Sequence, residues 1–228
     1  MTADERNDTM REASRPYHAG TTLLSMKQLS DAGAGSAVDP ELLSVYLSIA
    51  QWIRSYLMRP RPDLGRSGDV CPFTTQAFRL DTIRIGVSRA RSSDTATIKR
   101  CVRHCFRQFA LMPCPPSMRH FRTIIVGFPG LDDADGLESL KRVQNRLKVY
   151  CLLRGLMIAR FHAASDDRGL WNPEFRPLRS PIPLLAIRQL VKEDAPFAIR
   201  HPLLIPTYLW KYSLAAPKRL LASLRKAH

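Results

Sequence analysis

The sequence predicts an α/β protein, specifically a two-layer α/β sandwich with a mixed sheet. Short β-prone segments alternate along the chain with longer segments of helical periodicity, and no internal repeat is present. The connections between successive strands are long enough to contain a helix each, which favours crossovers with at least partly parallel pairing. The hydrophobic content of 45% supplies a sizeable core, and 24% charged residues are typical of a soluble protein.

The first elements follow from composition and capping residues. Residues 1–38 lack apolar periodicity and are rich in Gly, Ala, Ser and Asp, which predicts a disordered N-terminal tail. Asp39 and Pro40 are typical of the N-cap and first position of a helix. Apolar residues at helical spacing extend this helix through Met58, and Pro60 ends it. This helix is an addition to the sandwich and packs beside it.

The remaining elements form the sandwich itself. Strand-like patterns predict four strands, near residues 81–88, 122–127, 156–162 and 184–190. Apolar residues three and four apart predict a helix in each of the first two connections. Ser93 or Asp94 caps the first of these helices, and Gly155 ends the second. A single α/β domain therefore spans residues 39–200.

Residues 201–228 form a basic amphipathic segment that predicts a helical C-terminal tail. Its leucines and Trp210 beside Lys and Arg residues are compatible with weak contact to an anionic membrane surface. Packing of the leucines on the domain explains the same pattern. Packing is favoured, because Pro206 and Pro217 interrupt the long helix that interfacial anchors tend to have.

The net charge of +15, from 35 Lys and Arg against 20 Asp and Glu, predicts an anionic partner. Nucleic acid, phospholipid headgroups and acidic small molecules all fit this charge. The charge is spread over the chain, however, and surplus arginine on solvated faces explains it equally well. Nucleic acid is therefore kept as a partner but is not favoured.

The location predicted from the sequence is the cytoplasm. No apolar run approaches the roughly 18–20 residues of a membrane span, and the N-terminus lacks the apolar region of a secretory signal. The five cysteines are odd in number and contain no CxxC pair. That usage indicates reduced thiols rather than a disulfide framework.

The stretch at residues 171–188 is the most distinctive part of the chain. It contains four prolines, each of which fixes φ and removes a backbone donor: Pro173, Pro177, Pro181 and Pro183. Its first part is therefore predicted to be an ordered, extended loop that leads into the last strand. Loops of this kind on a rigid scaffold commonly form binding surfaces.

Distinctive residues also stand where predicted strands end, and this is where ligands bind in sheets with parallel pairing. Ser88 follows the first strand, Phe128 the second and His162 the third. Arg179 and Ser180 precede the fourth strand, so their loop can approach this edge or the opposite one. The expected site is a pocket at the sheet edge.

Each candidate has a functional and a structural interpretation. His162 is the candidate for proton transfer, or else it closes a strand structurally. Cys71, in a loop among arginines, is a candidate nucleophile, or else a small buried hydrophobe. Arg179 can hold a carboxylate or phosphate, or brace the loop through backbone carbonyls. The predicted walls of the pocket are Trp171, Asn172 and Phe128, with Ser88 and Ser180 as further binding residues.

No cofactor or metal site is predicted. Cys101 and Cys105 have spacing that mimics metal ligands, but Cys105 falls on the apolar helix face, and core packing is favoured. The chain contains no GxGxxG, P-loop, HExxH or GxSxG motif. The main nucleotide, zinc-protease and hydrolase signatures are thus absent, and the cofactor stays unknown.

Three segments resemble an uncharacterised bacterial domain family labelled only as a domain of unknown function. They are LGRSGDVCPF (64–73), GLMIARFH (155–162) and NPEFRPLRSPIPLLAIR (172–188), which contain GRxGxVCPF, a strand ending in FH, and PLRSPxPLLAIR. CPF, the FH strand and RSPxP are also similar to a second uncharacterised family with CPFA, ASFHP and NRSPYP, whose proline is Ala163 here. The similarity extends over residues 42–200. It implies an α/β domain with a site near Cys71, His162 and Arg179, in a specialised-metabolite gene cluster, without an established substrate.

The function favoured by the sequence is the binding or transformation of a small anionic molecule at this site. An enzyme is preferred, but no reaction class follows from the residues. The alternative is a basic module without catalysis that binds nucleic acid or associates with a membrane surface. The oligomeric state is not indicated by any pattern in the chain.

Overall fold

In the computed structural model, residues 21–30, 38–92 and 94–194 are described, and they form a mixed five-stranded sheet with helices on both faces. The strands are β1 (Leu24–Ser25), β2 (Ile83–Val87), β3 (Thr123–Gly127), β4 (Leu156–Phe161) and β5 (Leu184–Gln189). The α-helices are α1 (Pro40–Trp52), α2 (Thr74–Arg79), α3 (Thr95–Leu111) and α4 (Ala134–Leu153). The predicted α/β class, mixed sheet and four strands are confirmed. None of the helices in this part of the chain is long and apolar enough to cross a membrane.

The strand order is β1-β2-β3-β5-β4, and β5 is the strand that reverses direction inside the sheet. β2 and β3 are parallel, whereas β5 is antiparallel to both β3 and β4. The strands β2, β3 and β4 therefore point the same way. Their carboxyl ends lie at one edge together with the beginning of β5, and we call this the carboxyl edge.

Alternation along the strands divides the core between the two faces of the sheet. Ile125 packs with the apolar residues of α1 and α2, while its neighbours Ile124 and Val126 pack with those of α3 and α4. The helix that the sequence adds to the sandwich, α1, therefore covers the second face. As a result the sheet is buried on both sides, which suits its nearly continuous apolar strands.

Capping follows the predicted residues. The Asp39 carboxylate accepts from the Glu41 N–H at 3.0 Å, and that of Asp94 from the Thr97 N–H at 2.8 Å. The helix expected through Met58 is α-helical as far as Trp52 and continues as a π-helical turn over Ile53–Leu57. The end of the segment is thus as predicted, but its last turn is wider.

Residues 21–30 correct the prediction of a disordered tail over 1–38. β1 pairs with β2, and the neighbouring Leu24 and Met26 are only 3% and 1% exposed. Gly86 in β2 leaves room for this segment, because a Cβ there would lie 2.6 Å from Thr21 Cγ2. A two-residue strand is too short to show the alternation typical of a strand. It can therefore be recognised only from its pairing with β2. Residues 1–20, 31–37 and 195–228, with the tail predicted over 201–228, lie outside the described residues, as does Ser93.

Helix α2 is a second element that the sequence analysis did not identify. With six residues it is too short to show a helical repeat, although Ala77 is buried against the core. Asp81 follows it with φ of 53°, in the left-handed region. This turn explains why β2 begins at Ile83 rather than at the predicted position 81.

Substitution of Met26 by Ala tests whether residues 21–30 belong to the fold. Because the side chain is 1% exposed, we expect a loss of about 2–5 kcal/mol in the free energy of unfolding, measured by urea titration. Lys27→Ala is the matched control, since Lys27 is exposed and surface changes stay within about 0.5 kcal/mol. Equal stability of the two variants would contradict the packing of this segment.

Candidate functional site at the carboxyl edge

The proline-rich loop lies at the carboxyl edge, which settles the alternative left open by the sequence. The Phe128 N–H donates to the Pro183 carbonyl at 2.9 Å, just beyond the ends of β3 and β5. The His162 N–H donates to the Leu178 carbonyl at 3.2 Å, just beyond β4. Backbone pairing thus continues from the strands into the loop, and it places the loop next to His162.

Aromatic residues at the end of α1 hold the loop in position. Trp52 Nε1 donates to the Arg179 carbonyl at 3.1 Å, and the Tyr56 hydroxyl donates to the Arg176 carbonyl at 3.0 Å. Phe175 is buried and stacks on Tyr56 with ring centroids 6.4 Å apart. The loop backbone is therefore fixed by side chains of the opposite layer, and not by its own residues alone.

His162 is half-buried, and its Nδ1 is enclosed without a hydrogen-bond partner among the described residues. Burial lowers the pKa of His162, and the Arg160 guanidinium lowers it further. The carboxylates of Asp167 and Asp166 oppose this shift in part, as does Asp132 more weakly. The imidazole is therefore neutral at neutral pH, the form that can accept a proton.

Arg179 lies beside His162 through a shared contact with Ser165. Its Nε donates to the Ser165 carbonyl at 3.2 Å, and the Ser165 N–H donates to the His162 carbonyl at 3.1 Å. Its Nη2 is 3.8 Å from Asp166 Oδ1, and the side chain is 54% exposed. Arg179 thus braces the loop through a carbonyl and still presents charge to solvent. Both interpretations of this residue have a structural basis.

Cys71 belongs to the apolar cluster on the face of the sheet that α1 covers. Its half-buried side chain packs with the core of α1 and α2, and its N–H donates to the Leu57 carbonyl at 3.0 Å. The charged groups that act on His162 include Arg160, whose guanidinium contacts the Leu137 carbonyl of α4. The contacts of Cys71 are therefore with the α1 and α2 cluster, and its part in the site as nucleophile or wall stays a prediction.

Two other predicted residues lie inside the protein. Phe128, expected as a pocket wall, has no exposed surface and belongs to the core shared with α3 and α4. Ser88 is 5% exposed, and its hydroxyl accepts from the Ala90 N–H at 3.3 Å. Both shape the carboxyl edge from within, because they end buried strands.

The remaining predicted residues are used by the loop itself. Trp171 is half-exposed, and Asn172 Nδ2 donates to the Asp63 carbonyl at 2.8 Å, at the part of the loop that contacts the 62–65 turn. The Ser180 hydroxyl donates to the Ile182 carbonyl at 2.6 Å. Of the eight predicted site residues, His162 and Arg179 are the pair that the structure joins through side-chain and backbone contacts.

Two residues that matter for this geometry were not identified from the sequence. Ser165 is 1% exposed and connects Arg179 to His162, but in the sequence it is part of an ordinary polar run. Trp52 positions the loop through Nε1, but its place on an apolar helix face indicates only core packing. Neither role has a local sequence signal, because each depends on a partner more than ten residues away or on backbone atoms.

The cysteines of α3 pack in the core, as the sequence favoured. Cys101 and Cys105 are buried, and Cys101 Sγ lies 3.0 Å from Thr21 Oγ1. Within the described ranges, no group of three His, Cys, Asp or Glu side chains is placed to hold a metal ion. Thiol packing therefore accounts for these two residues.

Two surface depressions lie away from the carboxyl edge. One has a volume of about 370 Å³ and is lined by Leu29, Ser30, Leu47, Ala50, Gln51 and Arg54. The other has a volume of about 140 Å³ and is lined by Leu23, Arg84, Gln108, Leu111, Met112 and Pro113. Neither contains a predicted site residue.

The fold and this edge define an α/β protein with a mixed sheet and a candidate site formed by His162 and Arg179. The family described as "Domain of unknown function (DUF6875)" matches residues 46–223, and the chain belongs to this family. No curated protein and no solved structure matches the chain. Membership of an uncharacterised domain family is thus confirmed, while the particular motifs and the second family stay predictions.

Replacing His162 by Gln should reduce the acid sensitivity of the protein. The lowered pKa means that the unfolded chain binds more protons than the folded one below the ordinary value of 6.5. Wild-type stability is therefore complete above that pH and falls as the pH drops towards the folded pKa. Urea unfolding at neutral pH and about one unit below 6.5 should show a smaller loss for the variant. Identical losses would contradict the environment described for the imidazole.

Proposed function

We propose that the carboxyl edge beside β4 binds a small anionic molecule, with Arg179 as the anion-binding residue and His162 as the proton-transferring residue. The observation that carries the proposal is a half-buried His162 with a lowered pKa, whose backbone carbonyl accepts from Ser165, while the Ser165 carbonyl accepts from the exposed Arg179 guanidinium. Such a pair suits a carboxylate or phosphate ligand that also has an exchangeable proton. Perturbed histidines in this kind of position are common at functional sites.

The contacts of the two side chains support these roles. Arg179 uses Nε to reach the Ser165 carbonyl, so the Nη end of the guanidinium is the part that meets an anion. Nδ1 of His162 is enclosed, which leaves Nε2 as the ring nitrogen for the ligand. Proton transfer to the ring forms an imidazolium and leaves a negative charge on the ligand, which Arg179 stabilises.

The setting of this activity is part of the same proposal. A cytoplasmic location rests on the odd number of cysteines and on the lack of a CxxC pair. A specialised-metabolite pathway rests on the sequence resemblance. Cys71 has no part in the proposed chemistry, because its side chain packs with the apolar residues of α1 and α2.

Replacing Arg179 by Gln should weaken anion binding at this edge. Loss of one charge-assisted hydrogen bond costs about 1.5–3 kcal/mol, so the Kd should rise about ten- to a hundred-fold. The measurement is NMR titration of the His162 ring signals with inorganic phosphate, citrate and a panel of phosphorylated and carboxylated metabolites. The ring signals should move in wild type at concentrations where the variant shows little change.

Arg168→Gln is the matched control, because Arg168 is an exposed arginine of the same loop and its removal changes the net charge equally. It should retain wild-type affinity.

His162→Ala should abolish proton transfer with almost no change in melting temperature. A large loss of stability in that variant, or equal weakening in both arginine variants, would contradict the proposed site.

A further inference from the structure

The helical layer of α3 and α4 has two rows of positive charge. Both helices begin at the carboxyl edge and pack side by side on one face of the sheet, where the rings of Phe106 and Tyr150 lie 5.0 Å apart. Each helix contains four Lys or Arg residues: Lys99, Arg100, Arg103 and Arg107 on α3, and Lys141, Arg142, Arg146 and Lys148 on α4. α3 contains no Asp or Glu at all. This makes the layer far more basic than a surface of mixed charges.

Acidic residues are confined to the beginning of these helices. Asp94 and Asp133 are N-caps, and Asp135 lies in the first turn of α4. Glu138 is the remaining carboxylate of α4, and it pairs with Lys141 at 3.4 Å. From the second turn of each helix onward, the exposed charge is therefore almost entirely positive.

The spacing of the cations is regular. Lys99, Arg103 and Arg107 are four residues apart, as are Arg142 and Arg146, so neighbours in a row lie about 6 Å apart along the helix axis. Arg103 is one turn before Phe106 and on the same side of α3. Arg146 lies four residues before Tyr150, also about one turn, so the two rows flank the junction between the helices.

These arginines differ from the arginines of the other elements in their partners. Arg89 pairs with Asp39 and Glu41, and Arg188 pairs with Asp194. Arg103, Arg107 and Arg146 form no ion pair with a carboxylate of the described residues, and all are exposed. The Arg107 charge adds to burial in lowering the pKa of His104, as expected where positive charge is concentrated.

We infer that the junction of α3 and α4 binds a nucleic-acid strand through its phosphates. Regularly spaced cations on two sides of the helix junction suit a polyanion with repeating charges better than a single small anion. Guanidinium groups are preferred for phosphate contacts because their donors match phosphate oxygens in pairs. The Arg154 guanidinium lies over the Tyr150 ring, 4.4 Å from its centroid, and adds one more cation at the same junction. The inference is independent of the site at His162 and Arg179.

The test uses the full chain and a fluorescein-labelled oligodeoxythymidylate, with binding followed by anisotropy over a range of salt concentrations. The logarithm of the association constant should fall linearly with the logarithm of salt concentration. In the double variant R103Q/R146Q the slope should decrease by about 1.4, since each phosphate contact contributes about 0.7 for single strands. The single variants should each remove about half of that, so the test does not depend on the double variant folding.

The matched control is R59Q/R79Q, which removes the same charge from exposed positions outside this layer. It should keep the wild-type slope. Equal reductions in both double variants would overturn the inference, because binding would then follow net charge alone. Absence of oligonucleotide binding would overturn it as well.

A membrane surface is the competing partner, since the exposed Leu111 and Leu153 end the same two helices. Co-sedimentation with phosphatidylserine vesicles distinguishes the two. If R103Q/R146Q loses vesicle binding but keeps the oligonucleotide slope, the surface serves lipid and the inference is wrong. Loss of the oligonucleotide slope alone supports the nucleic-acid surface.

Discussion

The pairing of β5 with both β3 and β4 is the constraint on which the rest of the structure depends. β5 is hydrogen-bonded on both sides and runs against its neighbours, with Leu185 and Ile187 buried on one face. Because of this direction, the loop before β5 arrives at the edge where β4 ends. A parallel β5 would begin at the other edge, and Arg179 would then be separated from His162 by the length of the sheet.

The proline-rich loop combines a stiff backbone with contacts from another layer. Prolines restrict the unfolded chain, so less conformational entropy is lost when the loop becomes ordered. Trp52 and Tyr56 then satisfy two of its carbonyls, and buried Phe175 holds its middle against α1. A loop fixed in this way keeps the Arg179 guanidinium in place without enclosing it, which is what an open binding edge requires.

The arginines that give the large positive charge fall into two groups, which differ in whether they have partners within the fold. Arginines such as Arg89 and Arg188 pair with carboxylates of the fold, and Arg66 donates to backbone carbonyls of its own loop before Cys71. Arg103, Arg107 and Arg146, on α3 and α4, form no ion pair with a carboxylate of the described part of the chain. Net charge by itself cannot make this distinction, because it counts every arginine alike whether or not a carboxylate lies beside it.

The sequence by itself determined those elements whose signal is local. β3 and β5 are continuous apolar runs, and α1, α3 and α4 have caps and a helical repeat, so each is visible without its neighbours. β1 and α2 are too short for any repeat. Their stability comes from pairing with β2 and from burial of residues such as Ala77, which only the folded chain supplies.

The candidate site likewise has features that the sequence predicts and features that only the folded structure shows. That His162 and Arg179 stand near strand ends could be predicted, because strand ends are local features. Which face of the sheet each side chain occupies could not, since moving a residue by one position in a strand reverses its face. Phe128 was therefore predicted as a pocket wall, although its side chain is buried in the core. Only the tertiary structure, through strand order and direction, decided which of these residues meet.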